Sequence, residues 1–434
     1  MKPLLIKEGR VIDPSRKFDG QADILISEGK IQAVEKNLKP SPETEVIDAA
    51  GLIVMPGLID MHVHLRDPGY EYKEDIFSGA RAAAAGGFTA VAAMANTDPV
   101  SDDPSVIGYV HDRAARAAVR VYPLGALTKG LEGKELAELG RMKQAGAVGF
   151  SDDGKPVVNG TIMRNALLYA SGIDALVIAH EEDSHLASGG MMHEGPVSSV
   201  LGLRGIPSAA EETMLARDLM LLKLTGGRLH IAHVSTAGSV DLLRRAKGEG
   251  LAVTAEVTPH HLLLTDRAVK NSGYHTNTKV NPPLRSEHDR QSLWEGLLDG
   301  TIDAIASDHA PHHADDKDVE FDFAPFGIAG LEITLPLMLD EFTSGRIKKL
   351  TLPLLVEKMS TSPATILGIA GGSLRPGSPA DITIADLAQS LTVNPEAWHS
   401  KSGNTPFAGR RLAGAPVYTI VSGMVVMKEG VLTE

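Results

Sequence analysis

The stretch "LIDMHVHLRDPGYEYKEDIFSGARAAAAGGFTAVAAM", residues 58–94, decides the fold class. It opens on an apolar, β-rich run (58–65), passes through a helical segment, "EDIFSGARAAAAGG" (74–87), and closes on a second apolar run, "FTAVAAM" (88–94). Two such runs joined by a helix form a βαβ unit with parallel strands. The pattern continues along the chain. Further runs are "VRVYPLG" (119–125), "AVGF" (147–150), "ALVIAH" (175–180), "RLHIAHV" (228–234), "AVTAEV" (252–257) and "IDAIASD" (302–308). Candidate helices between them include "GKELAELGRMKQAG" (133–146) and "SAAEETMLARDLMLLKLTGG" (208–227). Eight βα units in succession predict an α/β chain folded as a (β/α)8 TIM-type barrel, with a doubly wound open sheet as the alternative.

Outside this core the pattern changes. "LLIKEGRVIDP", "ADILISEGKIQAV" and "TEVIDAAG" near the start, and "GSLRPGSPADITIADL" and "PVYTIVSGMVVMKEGVL" near the end, are short strands punctuated by Gly, Pro and Asp. They predict a small β-sandwich domain built from both termini, residues 1–54 plus 370–434, around a barrel of residues 55–369. The chain is 43% apolar with a net charge of −13 and no long basic run, which argues against nucleic acid and anionic membrane as partners. It has no cysteine, so disulfides and thiolate metal ligands are excluded. The first residues hold too short an apolar stretch for a signal peptide, and no run is long enough to span a membrane, so the expected location is the cytoplasm.

In a barrel, chemistry sits at the C-terminal ends of the strands. His62 and His64 lie near the end of the first run, two residues apart and so on one face of a strand. His180 closes the fifth run, His233 the sixth and Asp308 the eighth, while Asp152 and Asp153 follow the fourth. Strand alternation lets at most one of the two adjacent aspartates face a given site, and spacing does not say which. Taken alone, each histidine reads as a hydrogen-bonded core or barrel-mouth group; together they supply four imidazoles around one mouth. Histidines and aspartates of this kind suit borderline ions such as Zn2+. They exceed one tetrahedral site, and two ions sharing a carboxylate would use them all. Two such ions, two aspartates and a hydroxide leave a small positive charge, suited to an anionic substrate. Arg66 and Asn96 stand just past the first two runs, where a guanidinium could bind a carboxylate through two hydrogen bonds; alone, each reads as a surface arginine and a turn asparagine.

"DMHVHLRDP" and "ASDHAPHHADDK" resemble the two signature motifs of dihydroorotases, in the amidohydrolase superfamily. "MANTDPV", "GFSDDG", "AHEED", "AHVST", "VTPHHL", "NPPLR" and "APFGIAGLE" follow in the family's order, so the resemblance covers essentially the whole chain. It implies a metal-dependent barrel hydrolase that interconverts N-carbamoyl-L-aspartate and (S)-dihydroorotate in pyrimidine biosynthesis. It also implies two Zn2+ per subunit, a homodimer and a possible complex with aspartate transcarbamoylase. One metal would be held by His62, His64 and Asp308, the other by His180 and His233. Many superfamily members bridge their metals with a carboxylated lysine after the fourth strand. Here no lysine ends that strand, and Lys155 lies beyond Gly154. The pattern resembles the bacterial type I branch in which an aspartate bridges, which points to Asp153. Asp308 would be the catalytic acid/base. Arg66, Asn96 and His312 would bind the substrate carboxylate, while Asn281 and the backbone of Phe326 and Gly327 would position the ring. The segment 309–326 has the composition of a flap. Two alternatives remain: a hydantoinase or allantoinase, which shares the fold, and a non-catalytic partner subunit of aspartate transcarbamoylase. The full set of metal-type residues argues against the second.

Overall fold

The computed structural model describes residues 2–433. Eight short parallel strands form its centre: β1 (Leu58–Val63), β2 (Phe88–Ala93), β3 (Arg120–Pro123), β4 (Phe150–Ser151), β5 (Leu176–Ala179), β6 (Arg228–Ile231), β7 (Val253–Val257) and β8 (Ala304–Ile305). β1, β2 and β3 pair in order, as do β4 to β8. Single parallel bridges join the two groups, Gly125 to Phe150 on one side and Val63 to His309 on the other, and close the ring. This is the predicted (β/α)8 barrel.

The strands are apolar because both faces are covered. Val91, Val177, Leu229, Ile231 and Ala255 join the large cluster that includes the surrounding helices. Alternate residues, among them Ile59, Met61, Ala90, Ala92, Leu176, Ile178 and Ala304, form a separate cluster on the opposite face, inside the ring. The helix of the opening stretch runs from Ile76 to Ala85, with Asp75 capping it by accepting from the amides of Phe77 and Ser78. The segment 208–227 forms a helix at Ser208–Thr225. The segment 133–146 is helical only over Leu139–Gln144. Its first half runs beside the loop after β3 instead: Lys129 donates to the carbonyl of Glu135, and Ala137 to that of Leu127. Those pairings satisfy the backbone groups that a longer helix would have used.

The terminal strands form one nine-stranded sheet. Its order runs Val431–Leu432, Met424–Lys428, Arg411–Val421, Ile382–Thr392, Ile53–Pro56, Leu4–Asp13, Phe18–Ser27, Lys30–Glu35, with Glu45–Asp48 pairing on Leu4–Asp13. Chain start and chain end meet where Ile53–Pro56 pairs antiparallel with Ile382–Thr392. The sandwich has its own core, including Ile6, Ile24, Ile31, Leu374, Ile382 and Ile420. No helix among the described residues is long and apolar enough to cross a membrane.

Candidate metal centre

The C-terminal ends of the strands bring six predicted residues into one buried cluster. His62 lies in β1 and His64 just past it; Asp153 follows β4, His180 β5, His233 β6 and Asp308 β8. All six are nearly inaccessible to solvent. His62, His64 and Asp153 form one group whose ligand atoms lie within 4.8 Å of one another, and Asp153, His180 and His233 form a second. Asp153 belongs to both. Its Oδ1 lies 3.1 Å from His233 Nε2 and 3.5 Å from His180 Nδ1; its Oδ2 lies 3.5 Å from His64 Nε2. Asp308 Oδ1 is 3.2 Å from His64 Nε2 and 3.5 Å from His62 Nε2.

These residues fit a metal ion. With bonds near 2.0–2.1 Å, neighbouring ligand atoms of a tetrahedral zinc site stand about 3.3 Å apart, close to the separations found. His62 Nε2 is buried without a hydrogen-bond partner, and it faces Asp153 at 3.6 Å and Asp308 at 3.5 Å. Burial works against the charge of Asp153, yet His62, His180 and His233 hold its carboxyl well below the usual range. The same opposition acts on Asp308, where burial is outweighed by the hydrogen bond from His64 and the charges of His62 and His64, so its pKa is also lowered. Both carboxylates are therefore ionised at neutral pH.

Asp152 faces elsewhere. Its Oδ1 accepts from the amides of Leu127, at 2.7 Å, and Thr128, at 3.0 Å, and its Oδ2 from the Thr128 hydroxyl. Burial pushes its carboxyl up to about 6, against the pull of those bonds. Lys155 is exposed.

A cavity of about 350 Å³ opens onto the cluster. Every residue predicted from the sequence lines it except His62, which stands behind. Arg66 is half-buried and donates through Nε to the carbonyl of Pro311 at 3.3 Å. His312 donates through Nε2 to the carbonyl of Phe326 at 2.9 Å, and Lys73 Nζ stands 3.3 Å from its Nδ1. Burial, with Arg66, Lys317 and Lys73 around it, brings the His312 pKa down to about 2, so the ring is neutral. Gly327 has φ 145°, and a Cβ there would meet the Ala310 carbonyl at 2.8 Å; the backbone can come this close only with glycine. Segment 309–326 contains a short helix, Ala314–Lys317, and is held by two buried lysines, one outside it and one within it. Lys279 donates to the carbonyls of Phe321 and Asp322, and Lys317 to those of Thr276 and Pro325. A larger cavity, about 600 Å³, shares His312 with the first but contains none of the six clustered residues.

Sequence reasoning missed two groups beneath the cluster and one beside His312. Glu256, in β7, accepts from His62 Nδ1 at 2.6 Å. Asp60 accepts from the amides of His62 and Ser307, and burial pushes its carboxyl up to about 6. Lys73 is the third. An acidic residue inside an otherwise apolar run, as in "AVTAEV" and "LIDMHVHL", is the signal that marks the first two.

The chain resembles known proteins in sequence and in fold. A family model described as Dihydro-orotase-like matches residues 51–239. The dihydroorotase of Pelotomaculum thermopropionicum is 54% identical over 429 residues, covering 99% of both chains. That of Geotalea daltonii is 54% identical over 426 residues, covering 98% of this chain and 99% of its own. Among solved structures, the L-hydantoinase (dihydropyrimidinase) from Arthrobacter aurescens superposes with a TM-score of 0.89 at 29% identity, over 100% of this chain and 98% of its own. The dihydropyrimidinase from Brevibacillus agri NCHU1002 gives 0.86 at 25% identity, over 99% and 96%. Such enzymes are cyclic amidohydrolases, and the barrel with its terminal sandwich is theirs too. More than half identical to curated dihydroorotases along nearly its whole length, the chain belongs to the dihydroorotase family.

Proposed function

We propose that the chain interconverts N-carbamoyl-L-aspartate and (S)-dihydroorotate with two Zn2+ ions per subunit. One observation carries the metal reading: Asp153 is common to two groups of possible ligands, so one carboxylate can serve two ions. His62, His64 and Asp308 would hold one ion, His180 and His233 the other, with Asp153 between them. When bound, such ions bring the pKa of water toward ~7 and polarise a carbonyl oxygen.

The protein's own groups do the rest. In ring opening, ionised Asp308 accepts the proton of the attacking nucleophile and delivers it to the departing ring nitrogen. In ring closure it takes the ureido proton. Arg66, Asn96 and neutral His312 hold the carboxylate that does not react, so the reacting atoms start close and oriented. Asn281 and the backbone of Phe326 and Gly327 place the ring. Residues 55–369 form the catalytic unit and 1–54 with 370–434 the sandwich. The enzyme is cytoplasmic and homodimeric, with aspartate transcarbamoylase as a possible partner.

The fold likeness to hydantoinases favours a second reading, opening of hydantoin-like rings. The exposure of Lys155 and the position of Asp153 in both ligand groups speak for the first. The deciding experiment follows dihydroorotate hydrolysis by ultraviolet absorbance, with and without a chelator. Chelator-sensitive turnover is expected; turnover of hydantoins with none of dihydroorotate would overturn the proposal. Asp308→Ala should abolish turnover while losing at most one ion per chain, and near-normal activity in that variant would remove Asp308 from its role.

A further inference from the structure

Glu256 is 1% exposed, in a strand whose neighbours Ala255 and Val257 are fully buried. A carboxylate in such a place is costly unless it is paired. Glu256 has an imidazole at each of its oxygens, hydrogen-bonded on the His62 side and within ion-pair distance on the His230 side. Its Oε1 lies 2.6 Å from His62 Nδ1, and its Oε2 lies 3.2 Å from His230 Nε2. His230, itself inaccessible, is held in turn through Nδ1 by the hydroxyl of Thr254 at 2.8 Å. Both carboxylate oxygens face imidazoles, so the side chain has one orientation, and it faces away from the cavity.

We propose that Glu256, flanked by His230, is a positioning residue that fixes the ring of His62 for metal binding. The proposal rests on the metal reading of the site. An ionised carboxylate only accepts hydrogen bonds, so the hydrogen on His62 must sit on Nδ1. Nε2 is then the nitrogen left for a metal, and it faces Asp153 and Asp308 without a hydrogen-bond partner. A carboxylate behind a metal-binding imidazole also raises the basicity of the ring. His64 is treated differently. Its Nδ1 meets the neutral amide oxygen of Asn96 at 2.9 Å. The two imidazoles of the same strand are thus backed by unequal acceptors, one charged and one neutral. His62 becomes the stronger electron donor, and Asn96 keeps its NH2 free for an anionic ligand in the cavity.

The test measures zinc affinity rather than turnover. Full-length wild type, Glu256→Gln and Glu256→Ala are stripped of metal and titrated with Zn2+ against a chelating indicator, and the metal-free proteins are melted in parallel. Glu256→Ala should bind the first zinc about 10- to 100-fold more weakly than wild type. Glu256→Gln, which keeps an acceptor but loses the charge, should fall between them. If Glu256→Ala melts earlier yet binds zinc with wild-type affinity, Glu256 is a structural residue and the proposal fails. Should Glu256→Ala not fold, Glu256→Gln decides: unchanged affinity overturns the proposal and weakened affinity supports it. Failure of the wild type to bind zinc would instead overturn the metal reading on which the proposal rests.

Discussion

Asp152 and Asp153 are neighbours in the chain and face different partners. Asp153 meets four imidazoles; Asp152 meets the loop after β3. Their substitution should therefore give opposite signatures. Asp153→Ala should lower the zinc content per chain, measured by atomic emission, with little change in the stability of the metal-free protein. Asp152→Ala should keep its zinc but strand two buried amides, at about 1–3 kcal/mol each, and lower the melting temperature. Arg66, with φ 61°, and Asp308, with φ 46°, stand in the left-handed region, where non-glycine residues are held by their surroundings and cluster at functional sites. Arg66→Ala should mainly raise KM for dihydroorotate in steady-state assays, because its guanidinium lines the cavity without touching the clustered histidines.

At the scale of elements, the short helix Pro259–Leu263 ties two loops of the site together. His261, on that helix, exchanges a hydrogen bond with the hydroxyl of Thr258 at 2.7 Å through Nδ1 and donates to the carbonyl of Pro282 at 2.9 Å through Nε2. That second bond anchors the loop carrying Asn281. Burial brings the His261 pKa down to about 4, against about 6.5 in an unfolded chain. Between those values the unfolded state binds the extra proton. The contribution of the neutral ring is complete above pH 6.5 and is lost as pH falls toward 4, in all about 3 kcal/mol. The stability gap between wild type and His261→Asn should thus be largest near pH 7.5 and shrink by pH 4.5, as read from urea midpoints. The elements differ in how plainly they show in the sequence. The barrel strands are visible because burial on both faces leaves unbroken apolar runs. The segment 133–146 has helical composition, but half of it pairs with the loop at 127–129, a tertiary choice no local pattern encodes. The strand-end histidines stand out for the same reason as the strands they close. Glu256 is less plain: an acid inside an apolar run marks it as unusual, but its two histidine neighbours appear only in the fold.

For the whole molecule, one of the joints between sandwich and barrel is a hydroxyl. Thr383, fully buried in the terminal sheet, accepts from the amide of Leu58 at 3.2 Å and donates to the carbonyl of Gly87 at 2.6 Å. Leu58 opens β1, and Gly87 immediately precedes β2. Thr383→Val keeps the shape and removes both bonds, stranding buried backbone groups at about 1–3 kcal/mol apiece. A lower denaturant midpoint with one cooperative transition is expected, showing that the two units unfold together; two separated transitions would show that they do not. The same joint spans a great length of chain. Leu58 and Thr383 are 325 positions apart, and a ribosome adding about 5–20 residues per second needs roughly 16–65 s to cover that distance. Through this interval the strand Ile53–Pro56, buried at every position once folded, has an open edge on the side that Ile382–Thr392 will occupy. An open apolar edge is a template for pairing with another chain. The nascent protein is thus open to sticking to its neighbours until residues 382–392 emerge, and its yield in a cell depends on the speed of synthesis and on whatever shelters that edge.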